Sequence, residues 1–111
     1  MTVELDVYSG RPNPTWTLSA DEAEQIARLL QDLPRAQSAA AEGLGYRGFV
    51  LVTSGRDDSL PRSIRVNGGI VTVRQEGRVE HFADARGLEE RLLEQARANG
   101  FGSVLDAVRP R

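Results

Sequence analysis

The turn signal Asn67-Gly68-Gly69 constrains this chain more than any other feature. Asparagine and glycine tolerate the left-handed backbone that a tight hairpin demands, and Ile64 and Val66 precede them while Ile70, Val71 and Val73 follow. Turning through either Asn67-Gly68 or Gly68-Gly69 keeps Ile64 and Val66 on the face shared by Val71 and Val73. A second turn is expected at Gln75-Glu76-Gly77. A two-residue Glu76-Gly77 turn would set Glu80 opposite Val73 on the apolar face. A three-residue bulged loop with Gly77 in the left-handed region instead sets Val73 opposite Val79 and Val71 opposite His81, and is the expected form. With the apolar run Phe49-Val50-Leu51-Val52, which implies a central strand buried on both faces, these turns predict an antiparallel meander over residues 46–82.

The flanks supply the rest of the fold. Val3, Leu5 and Val7 alternate with Glu4, Asp6 and Tyr8, the period of a half-buried strand. The prolines of Ser9-Gly10-Arg11-Pro12-Asn13-Pro14 end it, and Thr15 to Leu18 can form a short edge strand. Ser19 and Glu22 form a capping box ahead of a helix of about 14 residues, whose buried stripe is Ala23, Ile26, Ala27, Leu30 and Leu33 and whose stop is Pro34. A second helix is predicted from Asp84 to Ala98, with Ala85, Leu88, Leu92 and Ala96 as its stripe, Leu93 beside it and Asn99-Gly100 as its end. Residues 35–45 read as a helical turn or a linker, and residues 102–111 as a docked turn or a frayed tail. The expected architecture is a single α+β domain over residues 1–101. Its mostly antiparallel sheet has about five strands in the order β-α-β-β-β-β-α, with two helices on one face. A right-handed helical crossover would lay the first strand parallel to the central one.

Composition narrows the chemistry. At 111 residues, 40% apolar and 27% charged, the chain suits one ordered core. A formal charge of −2 and dispersed arginines argue against a nucleic-acid footprint. The fourteen basic residues are all arginine, which excludes lysine Schiff bases and P-loop lysines. The absence of cysteine excludes thiolate nucleophiles and zinc-thiolate sites. No apolar run reaches membrane-spanning length and the chain opens without a leader-like pattern, so a cytoplasmic protein with no membrane partner and no cofactor is expected.

Few titratable groups suggest chemistry. Gly43-Leu44-Gly45-Tyr46-Arg47-Gly48 matches the spacing of a dinucleotide-binding turn, but it leads into a strand instead of opening a helix. Asp57-Asp58 lacks the spaced oxygens of a calcium loop. His81, the only histidine, is a general-base candidate beside Glu80 or Asp84, or else a packing residue. The proline-braced 9–16 loop is the most distinctive segment. In it Arg11 can clasp a carboxylate, Asn13 can bond a backbone amide, and Trp16 can anchor in a partner pocket or bury in the core. Tyr46 and Arg47 could line a groove at a strand start.

These features favour a small non-enzymatic binding or accessory protein. It would contact a protein or peptide partner through a sheet edge and the 9–16 loop, with Arg11, Asn13, Trp16, Tyr46 and Arg47 as contact residues. One form is a partner subunit of a peptide-modifying enzyme. The alternative is a small enzyme or ligand-binding protein with a pocket near Arg11, Tyr46 and His81, and a homodimer joined through a sheet edge is a third form.

Overall fold

The structure, a computed structural model, describes residues 1–8, 12–37, 46–52, 63–75 and 77–108. Within them the chain is α+β: one six-stranded antiparallel sheet and three helices. The elements are β1 (Thr2–Leu5), β2 (Thr15–Thr17), α1 (Ala20–Leu29), β3 (Phe49–Val52), β4 (Ser63–Asn67), β5 (Ile70–Gln75), β6 (Arg78–Ala83), α2 (Leu88–Ala98) and α3 (Gly102–Val108). Strand order across the sheet is β2-β1-β3-β4-β5-β6. The count exceeds the expected five because residues 15–17 do pair as an edge strand.

That edge strand also corrects the expected direction of the first strand. β1 is antiparallel to both β2 and β3, so β2 and β3 are the parallel pair, with β1 between them. A helical crossover joins parallel strands, and here it departs from β2 because the chain has already reversed near Asn13.

The first hairpin turns through Gly68-Gly69, with φ of +60° and +81°. Asn67 pairs with Ile70, Val66 with Val71 and Ile64 with Val73. The second turn is the two-residue one, not the bulged loop: Gln75 pairs with Arg78, Val73 with Glu80, Thr72 with His81 and Val71 with Phe82. Glu80 is tolerated on the apolar face because it lies near the sheet margin, where Arg35 and Arg78 approach its carboxylate at 3.3 Å. The same register carries Phe82 onto the core side, where Arg35 covers its ring, and puts His81 on the opposite face.

The core lies on one side of the sheet. Val3, Leu5, Phe49, Leu51, Ile64, Val66 and Val71 face Ile26 of α1, Leu88, Leu92 and Leu93 of α2, and Leu105 of α3, all of them buried. Among the described residues no helix packs on the other side, which corrects the expectation that β3 is buried on both faces. Val50 is half-buried and Val52 is 45% exposed.

Ser19 caps α1 as predicted, with its hydroxyl accepting from the Glu22 amide and the Glu22 carboxylate from the Ser19 amide. The helix stops at ten residues, and Asp32 then adopts φ +56° ahead of Pro34. Residues 34–36 then run beside β6: Ala83 N–H donates to the Pro34 carbonyl at 2.7 Å and Ala36 N–H to that of His81 at 2.9 Å. α2 begins at Leu88, later than predicted, because residues 84–87 form a turn in which both Asp84 carboxylate oxygens accept from the Leu88 and Glu89 amides at 2.8 Å. Residues 102–108 form a docked helix whose Leu105 is fully buried.

Candidate functional site

Strand alternation sends Glu4, Asp6, Val50, Arg65, Thr72 and His81 to the uncovered face, and the densest set of polar contacts forms there. Asp6 is only 8% exposed. Its Oδ1 accepts from Arg47 Nη2 at 2.9 Å and its Oδ2 from Arg65 Nη1 at 2.8 Å. Opposite Asp6 the register slips: the Asp6 amide donates to the Gly48 carbonyl, while the Asp6 carbonyl accepts from the Arg47 amide. Two residues facing one is the geometry of a β-bulge. Under plain alternation Arg47 would share the core face with Phe49, and the bulge turns it onto the face of Asp6.

Asn13 completes the cluster. Its Oδ1 accepts from the Val7 and Tyr8 amides at 3.1 and 2.8 Å, and its Nδ2 donates to Glu4 Oε2 at 3.1 Å and, more weakly, to Asp6 Oδ1 at 3.4 Å. This side chain ties the loop between β1 and β2 to the end of β1. Arg47 also bonds the Tyr8 carbonyl, and Arg65 the Arg47 carbonyl. Removing Asp6 would leave two guanidinium groups close together with no carboxylate between them, so its first role is to hold β1, β3 and β4 in place.

The remaining candidates lie elsewhere. Trp16 is a core residue, 9% exposed. It is stacked on Phe101 at 5.7 Å, edge-on to Phe49, and donates its indole N–H to Gln95. Its ring is therefore not a surface anchor. Tyr46 packs edge-on against Phe49 and donates its hydroxyl to Glu89, on the helix side. Glu89 also accepts from the Gly69 amide at 3.0 Å, pinning the first hairpin to the start of α2. His81 sits on the uncovered face with Nδ1 3.0 Å from Thr72 Oγ1. Tyr46 and His81 thus lie on opposite sides of the sheet and share no pocket. Arg11, with Ser9 and Gly10, lies outside the described residues, as do residues 43–45 of the glycine-spaced motif and the Asp57-Asp58 pair. Among the described residues, no group of three or more histidine, cysteine or carboxylate side chains could hold a metal ion. No described helix is long and apolar enough to cross a membrane.

The two sheet edges differ. On the β6 side, residues 34–36 take up outward-facing groups of His81 and Ala83. On the β2 side, the bonds from the Leu5 amide to the Pro14 carbonyl and from the Leu18 amide to the Met1 carbonyl fix the alternation. Trp16 therefore spends its backbone groups on β1, and those of Thr15 and Thr17 point outward. Both threonines are exposed.

Sequence reasoning missed Asp6 and Arg65. The available signal was their shared place on the polar face of interior strands, where a charge has fewer routes to water than it has at an edge. Comparison with known protein families, curated proteins and solved structures found no match to this chain.

Proposed function

We propose that this chain is a non-enzymatic binding protein that accepts an extended segment of a protein partner along β2, beside the 9–16 loop. The observation that carries this reading is the asymmetry of the edges. The β6 side is partly closed by the chain's own residues 34–36, while Thr15 and Thr17 hold N–H and C=O groups outward in strand geometry. An added strand gains backbone bonds at such an edge without rearranging the sheet. Asn13, just ahead of β2, is bonded to the Val7 and Tyr8 amides, which supports an edge held in place before a partner arrives. A hydrolytic or transfer reading has less support, since Tyr46 and His81 do not converge.

Affinity capture from the native host with wild-type and Thr17→Pro proteins tests it. Proline at position 17 removes an outward donor and no bond to β1, so the fold is retained. The expected result is a partner held by the wild type and by an Arg91→Gln control, and bound about tenfold more weakly by Thr17→Pro. Equal capture by all three proteins would sink the edge reading. Should the captured species be a second copy of this chain, light scattering across concentrations would show a dimer that Thr17→Pro abolishes.

A further inference from the structure

The uncovered face carries a shape and a charge that the β2 edge does not use. Register aligns Glu4, Val50, Arg65, Thr72 and His81 in one row across the strands, and Thr2, Val52, Ser63, Arg74 and Val79 in the next. Between these rows lies a depression of about 360 Å³ lined by Val50, Ser63, Arg65, Thr72 and Arg74. Two small hydroxyl residues and a valine leave room at the sheet surface, and two long arginines stand around it.

Arg65 commits Nη1 to Asp6 and to the Arg47 carbonyl. Its Nε and Nη2 make no bond among the described residues, and a guanidinium carries five donors in all. Arg74 is exposed and has no ionic partner among the described residues. Among the described residues of this face, the arginines Arg47, Arg65 and Arg74 outnumber the carboxylates Glu4 and Asp6 by one positive charge. A monoanion balances that excess, and a dianion would overshoot it. Val52 and Val79, 45% and 50% exposed, flank Ser63 and Arg74 in the same row. The anion's surroundings are therefore aliphatic on both sides.

We infer that this depression is a carboxylate-binding site, taking an aspartate or glutamate side chain from an extended peptide with aliphatic residues on either side of it. The spacing fits: three inter-strand gaps separate Val52 from Val79, about 14 Å, which four residues of extended chain span. Aliphatic side chains at positions i and i+4 then meet the valines, while the carboxylate at i+2 reaches Arg74 and the free donors of Arg65. Charge-assisted bonds from guanidinium to carboxylate supply both affinity and choice of ligand. The site does not depend on β2 being occupied.

Amide NMR titration with an acetylated, amidated pentapeptide of sequence valine-threonine-glutamate-threonine-valine tests the inference, with a glutamine-for-glutamate peptide as comparison. Saturating shifts are expected at Ser63, Thr72 and Arg74, with the glutamine peptide at least about tenfold weaker. Arg74→Gln is expected to weaken the glutamate peptide by the same factor, and because Arg74 is exposed with no ionic partner among the described residues the fold is expected to be retained. Arg91→Gln on α2 is expected to leave binding unchanged. Equal binding of the two peptides, insensitivity to Arg74→Gln, or no saturable shift at the top of the millimolar range would overturn the carboxylate site. Inorganic phosphate displacing the peptide more effectively than acetate would overturn the choice of a monoanion. Shifts confined to Thr15 and Thr17 would overturn this site while supporting the β2 edge, so the two readings fail separately.

Discussion

Gly48 carries two demands that only glycine meets. Its φ is +86°, and a Cβ built there would lie 2.1 Å from the Val66 carbonyl oxygen and 2.6 Å from Asn67 Cβ. The first demand alone costs an L-residue about 1–2 kcal/mol. The second asks the backbone of β4 to move, and β4 is paired on both sides. Gly48→Ala is therefore expected to destabilise the protein by more than about 4 kcal/mol, a large fraction of what a domain of this size possesses. Gly69→Ala has nothing within 4 Å to meet and a similar φ of +81°, so its expected cost is only about 1–2 kcal/mol. Urea unfolding of the two variants checks the contrast, and similar midpoints would mean that the bulge yields. The glycine is visible in the sequence as the last of the glycine-spaced motif that leads into the strand. Its purpose is not, because the clash partners lie eighteen and nineteen residues further on. Asp6 posed the same difficulty. Alternation placed it on the polar side, but nothing local to residue 6 announces guanidinium groups supplied from positions 47 and 65.

Local chemistry fixed some element boundaries and tertiary chemistry fixed others. The α1 start was legible because the Ser19 and Glu22 capping box is complete within four residues. The α2 start was not, because Asp84 acts from outside the helix. Gly87 occupies the position before Leu88 with φ +73° and offers no side-chain cap, while the Asp84 carboxylate reaches over the turn to both free amides. Asp84 also donates its own amide to the Gly69 carbonyl, joining the helix start to the hairpin. Asp84→Ala is expected to lower stability by about 1–2 kcal/mol, the usual worth of a helix cap. The urea midpoint should fall with no change in the slope of the transition, and an unshifted midpoint would assign the capping to solvent. The β5–β6 register was misread for a related reason. Avoiding a glutamate on the apolar face is sound for an interior strand, but β6 lies at the margin, where Glu80 meets two arginines and solvent. The one-residue difference moves every β6 side chain to the other face, which is how His81 came to lie beside Thr72.

At the scale of the molecule, Trp16 joins parts of the chain that are far apart in sequence. The ring lies between β3, through Phe49, and the C-terminal helical region, through Gln95 and Phe101. The buried side chains form one cluster running from Val3 to Leu105, so α3 cannot leave without exposing Leu105 and loosening the wall against which Trp16 rests. That continuity predicts a single cooperative transition. Trp16 is the only tryptophan, so intrinsic fluorescence reports on this junction alone, while far-UV circular dichroism reports on the whole sheet and its helices. The expected result is a blue-shifted native emission that moves red on unfolding, with a urea midpoint and slope that match those from circular dichroism. A fluorescence change complete at lower urea than the dichroism change would show that the C-terminal helices detach before the sheet opens, and would divide the molecule into two units of different stability.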